Sequence, residues 1–384
     1  MRSLPAAAAL FIIAGVASAA PHFPVHSWAT VPAFLHTSVL NDAVFCDADL
    51  AIAARFPAIT LEKWQGCNAT AGCYSPGNLA GAVRGAGAAA CPSQEAATLA
   101  AAAQIKAVRP SAAVFTWTDS LRVYSRRAVN PDIKDISWQS CVRNELAEYA
   151  EAHSELLLRN SSGGLALEPY LDAHVYDHTN PRTAALWRDA CLNATASGLL
   201  DGCGADASQQ PGSYIDGLTP AQQAAWTAAH TAAVANTTKA LEPLGGVVLG
   251  KLLQQLGVSV NGVLQEGCGA SNTTINTLRA AAAAAARDAR RYLYECHSTG
   301  SEDELAAFLV GAGEDHFWGF GSWVYQQCGG AAADWSPLLE KPLGAPLADG
   351  AYDAATAIWT RSFAAGVHVT FDAATNKGTV QWAL

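Results

Sequence analysis

The chain has 384 residues, of which 51% are hydrophobic and 15% charged, with a formal net charge of −10. No basic run or Arg/Lys-rich helix is present, which argues against a nucleic-acid partner. A mature chain of roughly 365 residues is long for one compact core, yet one domain carrying loop insertions is a simpler reading than two.

The N-terminus reads as a secretory signal over residues 1–20. Arg2 supplies the basic region, Ala6 to Val16 the apolar core, and Ala17-Ser18-Ala19 the peptidase site. The apolar run is too short to span a bilayer, and the C-terminal Val380-Gln381-Trp382-Ala383-Leu384 has neither a lipid-anchor tail nor a retention tetrapeptide. The expected product is a soluble secreted or lumenal protein with no stable membrane anchor. Sequons at Asn68, Asn160, Asn193, Asn236 and Asn272 are candidate glycosylation sites. The ten cysteines, all beyond the signal, suit an oxidising compartment. Cys67 and Cys73 flank a short loop and form the best local disulfide pair, whereas Cys203, Cys268 and Cys296 fall on or beside strands and read as buried free thiols.

Eight short β-type runs alternate with helices, which implies a parallel sheet. Val31 to His36 and Ala58 to Trp64 come first, and the Ala-rich stretch from Ala96 to Ala103 favours helix. Ala113 to Asp119 is the third strand. Ser137 then precedes Trp138, Val142, Leu146 and Tyr149 at helical spacing. His174 to Thr179 is the fourth strand, after which Asn180 caps a helix with Pro181 at its first position and Gly198 past its end. Leu199 to Asp206 is followed by a helix opened by Thr219-Pro220. Gly246 to Gly250 and Asn261 to Glu266 come next, separated by only about ten residues, so either their crossover helix is short or one strand is misassigned. The alanines of 280–286 form a helix ahead of the strand Tyr292 to His297, and Ser301 with Glu304 forms a capping box before Leu305, Phe308 and Leu309. Gly329 to Gly350 reads as a long surface connection. Val367 to Phe371 and Gly378 to Trp382 then flank a turn-rich span typical of a β-hairpin.

The segments Leu200-Asp201-Gly202-Cys203-Gly204-Ala205-Asp206 and Val260-Asn261-Gly262-Val263-Leu264-Gln265-Glu266 each run from apolar residues to a carboxylate. Together with Leu61-Glu62-Lys63-Trp64-Gln65-Gly66, Asp177-His178-Thr179-Asn180-Pro181, Phe308-Leu309-Val310-Gly311-Ala312-Gly313-Glu314 and Arg361-Ser362-Phe363-Ala364-Ala365-Gly366, they resemble secreted glycosyl hydrolases with a (β/α)8 barrel. The resemblance implies an α/β (β/α)8 TIM barrel over residues 21–330, with a linker and a small C-terminal β-hairpin extension over 331–384. One departure stands out. The family pattern places an aromatic residue where this chain has Gly204.

Glycosidic cleavage uses two carboxyl groups, one protonated to assist the leaving group and one ionised as nucleophile or base. In a parallel barrel such groups sit at C-terminal strand ends, where Glu62, Asp119, Asp177, Asp206 and Glu266 are expected. Asp206 is the first choice, because Gly202 and Gly204 on its side of the pleat leave room for a sugar ring. Glu266, beside Gly267, is the second. Each has a structural alternative, Asp206 capping a turn and Glu266 lying solvated in a loop. The resemblance implies that one is the proton donor and the other the nucleophile or base.

Glu62, Trp117, Asp119, Asp177 and His297 are candidate substrate contacts. Each has a bland counterpart: an ion pair for Glu62, whose neighbour Lys63 points to the other face of a strand, a helix cap for Asp177, a satisfied histidine for His297, and core packing for Trp117. Trp318, Trp323 and Trp335 also fall on the loop side. Neither a helical His-x-x-x-His pair nor Cys-x-x-Cys spacing points to a metal. Gly-x-Ser-x-Gly and phosphate-loop motifs are absent. The sequence therefore reads as a glycoside hydrolase acting on a carbohydrate substrate, with no cofactor implied. A non-catalytic carbohydrate-binding barrel, favoured by Gly204, is the alternative, and a disulfide-supported extracellular structural protein is the third. The oligomeric state is unspecified.

Overall fold

A computed structural model describes residues 23–39, 44–63, 65, 93–123, 144–169, 173–323, 325 and 328–383. Strands β1 (Phe34–Thr37), β2 (Ala58–Leu61) and β3 (Ala113–Asp119) are joined through helices α1 (Asp47–Ala53) and α2 (Gln94–Val108). The short strands β4 (Arg122–Val123), β5 (Leu167–Glu168) and β6 (Ala173–Val175) surround α3 (Glu145–Ala152). Then follow α4 (Pro181–Ala196), β7 (Gly202–Asp206), α5 (Pro220–Leu241), β8 (Val247–Gly250), β9 (Gly262–Gln265), α6 (Asn272–Asp288), β10 (Leu293–Ser298), α7 (Glu302–Gly311) and β11 (His316–Phe320). Strands β12 (Ala351–Asp353), β13 (Ile358–Ser362), β14 (His368–Asp372) and β15 (Lys377–Gln381) end the chain.

Eight strands form one parallel sheet in the order β1-β2-β3-β7-β8-β9-β10-β11. Its edges meet, because Trp318 N donates to Pro32 O at 2.8 Å and parallel bridges join Ala33 to Trp318 and Val39 to Tyr325. The result is a (β/α)8 barrel, as expected. Alternation along the strands divides the apolar residues into two sets. Phe34, Phe115, Trp117, Val247, Leu249, Leu264, Leu293 and Phe317 fill the interior as one buried cluster. Leu35, Ile59, Val114, Val248, Val263 and Tyr294, of opposite parity, pack under the helices with α-helical residues such as Ile105, Trp187, Leu241 and Leu278.

Local chemistry sets the helix starts. Asn180 accepts a hydrogen bond from Arg182 N at 3.0 Å, ahead of Pro181. Thr219 with Gln222 and Ser301 with Glu304 form capping boxes. The start of the helix read from Ser137, residues 137–143, lies outside the described residues, and α3 opens at Glu145 behind the cap Asn144.

Two strand assignments are corrected. His174 to Thr179 is not a barrel strand: β6 pairs antiparallel with β4 and β5 in a separate three-stranded sheet, and the residues after it turn into the cap of α4. The eighth barrel strand is instead β11, His316–Phe320. The short interval after Gly250 holds no α-helix, only the 3-10 turn Leu253–Gln255. Likewise, 329–350 is more than a surface link, since Ala331, Leu339 and Leu343 are buried within it.

The buried-thiol reading is also corrected. Cys203 is joined to Cys191, tying β7 to α4, and Cys268 to Cys296, tying the loop after β9 to β10. A third bridge links Cys46 to Cys328. Cys67, Cys73 and Asn68 lie outside the described residues. Among those described, no helix is long and apolar enough to cross a membrane.

The C-terminal hairpin exists as β14 and β15, extended by β13 and β12 into a four-stranded antiparallel sheet. It grips both ends of α7. At the N-terminus, Asp303 accepts from Gly378 N at 2.8 Å and Glu302 from Val380 N at 3.0 Å. At the C-terminus, Arg361 Nη1 donates to the carbonyls of Leu309 and Ala312 at 2.9 and 2.6 Å, complementing the helix dipole. Two segments that carry the family resemblance thus meet for a structural reason. Arg361→Ala is expected to lower stability by about 2 to 3 kcal/mol through lost charge-assisted hydrogen bonds, read as a lower urea midpoint with an unchanged slope.

Candidate active site

The interior of the barrel changes character along its axis. On β3, β8 and β9 the inward residues are apolar up to Trp117, Leu249 and Leu264, and one step further toward the C-terminal ends they become Asp119, Lys251 and Glu266. Charge is therefore concentrated at the open end, where loops can adapt to a ligand.

Asp206 is the centre of this cluster. Lys63 Nζ lies 2.6 Å from its Oδ2, Lys251 Nζ lies 3.0 Å from its Oδ1, and Ala207 N donates to Oδ1 at 2.8 Å. The chain turns sharply here, with Ala207 left-handed at φ 57°, a kind of strain that collects at functional sites. Ser120 holds the Asp206 carbonyl twice, from N at 3.0 Å and Oγ at 2.8 Å. Burial opposes ionisation of Asp206, but Lys63 and Lys251 outweigh it and hold the carboxyl well below its usual range.

Lys251 also pairs with Glu266, so one ammonium serves both leading candidates. The two differ in exposure: the side chain of Asp206 is 11% exposed and that of Glu266 is 42%. Gln255, in the 3-10 turn after β8, accepts from Lys251 N at 3.0 Å, Leu252 N at 3.1 Å and Ser208 Oγ at 3.1 Å. It thereby clasps the loops that follow β7 and β8.

Glu62 and Lys63 both reach this cluster, against the expectation that adjacent residues diverge. Strand β2 ends at Leu61, so alternation no longer governs Lys63, whose Nζ lies 3.3 Å from Glu62 Oε2. His36 Nε2 faces Glu62 Oε1 at 3.2 Å. Burial pushes Glu62 up, yet Lys63 and His36 bring it below its ordinary value. His36 is itself pushed down by burial, which outweighs Glu62, and burial lowers His297 to about 3. Both rings are neutral at physiological pH and pack against Trp323, with centroids 4.3 and 4.1 Å away.

The remaining candidates are placed differently. Asp119 is in register with Asp206, but its carboxylate accepts from Leu121 N at 2.8 Å and Arg122 N at 2.6 Å and pairs with the Arg122 guanidinium at 3.1 Å. Burial raises it, with Arg122 opposing. Asp177 follows β6 rather than a barrel strand, and its carboxylate accepts from Thr179 N at 3.0 Å in the turn before α4. Trp117 is fully buried. Its ring lies where a side chain at 204 would be, because a Cβ on Gly204 would stand 1.8 Å from Trp117 Cε3. The neighbouring strand thus supplies the aromatic group whose absence at 204 was noted. Trp318 is buried under the helices and Trp335 packs on Phe56.

Sequence reasoning missed His36, Lys63, Lys251 and Gln255 as site residues. A signal existed for Lys251, which continues the inward parity of Val247 and Leu249 one residue past the strand. For Gln255 there was none.

The model of a family described as hypothetical glycosyl hydrolase family 15 matches residues 106–367. No curated protein matches the chain in sequence. Similar solved structures include the maltogenic α-amylase AmyB of Thermotoga neapolitana, 8% identical with a TM-score of 0.47 over 88% of this chain and 86% of that one. A xylosidase from Aspergillus niger is 10% identical with a TM-score of 0.46, covering 83% of this chain and 47% of that one. The α-N-acetylgalactosaminidase NagBb of Bifidobacterium bifidum is 10% identical with a TM-score of 0.44, over 91% and 57% respectively. The chain thus spans about half the length of the last two.

Below the charged ring lies a further acid, Glu295, fully buried and hydrogen-bonded by Thr60 Oγ1 at 2.8 Å. Burial pushes it from 4.5 up to about 8, with Thr60 opposing. The neutral acid therefore contributes stability that is fully present below about pH 4.5 and is lost as pH rises through about 8. Glu295→Gln, which cannot ionise, is expected to gain stability relative to the native protein between pH 5 and pH 8. Denaturant titrations at the two pH values check this, and parallel losses in both proteins would refute it.

Proposed function

Because the chain belongs to hypothetical glycosyl hydrolase family 15, we propose that it is a glycoside hydrolase cleaving O-glycosidic bonds of an oligo- or polysaccharide, with Asp206 and Glu266 as its working carboxylates. The observation that carries this assignment is the Lys251 ammonium, which contacts both groups at the C-terminal end of the barrel.

Asp206, flanked by two ammonium groups, is suited to remain ionised. Glu266, the more exposed of the pair, is the carboxyl left for the proton-donor role. In the proposed reaction the Glu266 proton passes to the glycosidic oxygen as its bond to the anomeric carbon breaks. That carbon is captured either by Asp206 or by a water that gives its proton to Asp206. This chemistry needs no cofactor. Glu62 pairs with Lys63, the Trp117 ring lies against the Lys251 ammonium, and His297 packs on Trp323. The fit of Asp206 between two lysines also favours a second reading, a carbohydrate-binding barrel without turnover, since each ammonium contact lowers the basicity of the carboxylate.

Asp206→Asn and Glu266→Gln keep size while removing the acid, so folding and glycan binding are expected to survive while turnover falls by about 100-fold or more. Reducing-end release and binding across a glycan panel check this. Full turnover in both variants would discard these two carboxylates, and binding without cleavage by the native protein would select the second reading.

The three disulfides suit an oxidising compartment, in keeping with a secreted protein whose substrate is extracellular. Asn193 and Asn236 are exposed, whereas Asn160 Oδ1 is engaged by Ser162 and Asn272 Oδ1 by Trp359. Exported material is expected to begin near Ala20 and to carry glycans at Asn193 and Asn236. N-terminal sequencing and glycopeptide mapping test both points.

A further inference from the structure

Lys251 is held at three points. Its amide is fixed by Gln255 at 3.0 Å, its ammonium lies 5.2 Å from the centroid of the Trp117 ring, and the same ammonium bridges Asp206 and Glu266. The Trp117 ring in turn occupies the space that a side chain at position 204 would need. A lysine this enclosed, 11% exposed at its side chain, carries a large desolvation cost unless its charge is matched.

We infer that Lys251 is a positioning residue whose single ammonium binds Asp206 and Glu266 into one charge-coupled pair at the open end of the barrel. The other charged groups around the pair are otherwise engaged. Lys63 contacts the second oxygen of Asp206 and also Glu62. Asp119, in register with Asp206, is matched by Arg122, which also reaches Glu168 at 3.2 Å. His36 is neutral and paired with Glu62. Lys251 touches both carboxylates. The lowered ionisation range of Asp206 accords with this placement. The catalytic consequence rests on the function proposed above, but the charge coupling does not.

The test uses the full-length exported protein with 13C-carboxyl-labelled Asp and Glu. Removing the ammonium in Lys251→Gln is expected to move the Asp206 carboxyl titration upward by about 1 to 3 pH units, while Lys251→Arg leaves it near the native position. An unchanged titration in Lys251→Gln overturns the inference whether or not the protein turns over any glycan. On a glycan that the native protein cleaves, Lys251→Ala is expected to lower kcat by about 10- to 100-fold with KM within about threefold, and added ethylammonium is expected to restore part of the loss. An equal loss unmoved by ethylammonium overturns the positioning role, because a merely structural lysine behaves that way. If the titration moves while Asp206→Asn and Glu266→Gln both remain fully active, the coupling stands and the assignment of these carboxylates to catalysis falls.

Discussion

Closure of the sheet between β1 and β11 is the constraint from which the site follows. Once Trp318 is hydrogen-bonded to Pro32, every strand has two neighbours and one face of each must point into a confined interior. Large apolar side chains fill the lower levels, and glycine appears where a neighbour already occupies the space, as at Gly204 beside Trp117. A closed barrel has no room for charge at those depths. Charged side chains are accommodated where the strands open into loops, and that is where Glu62, Lys63, Asp206, Lys251 and Glu266 converge.

Strand β7 shows how position along the barrel changes what a carboxylate does. Asp201, just before its N-terminal end, accepts from Lys106 Nζ and Val114 N, each at 2.7 Å, and so fastens α2 and β3 to the base. Asp206, at the other end, faces two ammonium groups that belong to different loops. Both aspartates are buried and both are paired, as burial of charge requires. The partners of Asp201 come from framework elements. Those of Asp206 come from the turns after β2 and β8, beyond the paired strands of the sheet.

Much of this was legible in the sequence. Strand β3 coincides with the run Ala113 to Asp119, and Asn180, Thr219 and Ser301 open the helices they were expected to open, because caps and alternation are local properties. What local pattern cannot carry is the identity of a strand's partner. His174 to Thr179 has the composition of a barrel strand, yet β6 pairs with β4 and β5, while His316–Phe320, between a helix end and a Gly-rich segment, completes the barrel. The cysteines failed for the same reason: Cys191 with Cys203 and Cys268 with Cys296 are neighbours through helix–strand and loop–strand packing, which no spacing rule specifies. Asp206 and Glu266 could be picked out as strand-end acids. Lys63 was obscured because it lies past the last paired residue of its strand, where parity no longer indicates direction, whereas Lys251 kept the inward parity of β8 and its signal went unused.

The bridge between Cys46 and Cys328 spans 282 residues, and the seam beside it joins the first barrel strand to the last. At a synthesis rate of about 5 to 20 residues per second, Cys46 waits on the order of 15 to 60 s before its partner exists. For that interval seven strands can pair in sequence, each with its predecessor, but β1 keeps an unpaired edge and Cys46, ahead of α1, is without its proper mate. The molecule thus depends on its surroundings at one particular stage, when an almost complete sheet must be kept from adding a foreign strand and an early cysteine from choosing a nearer one.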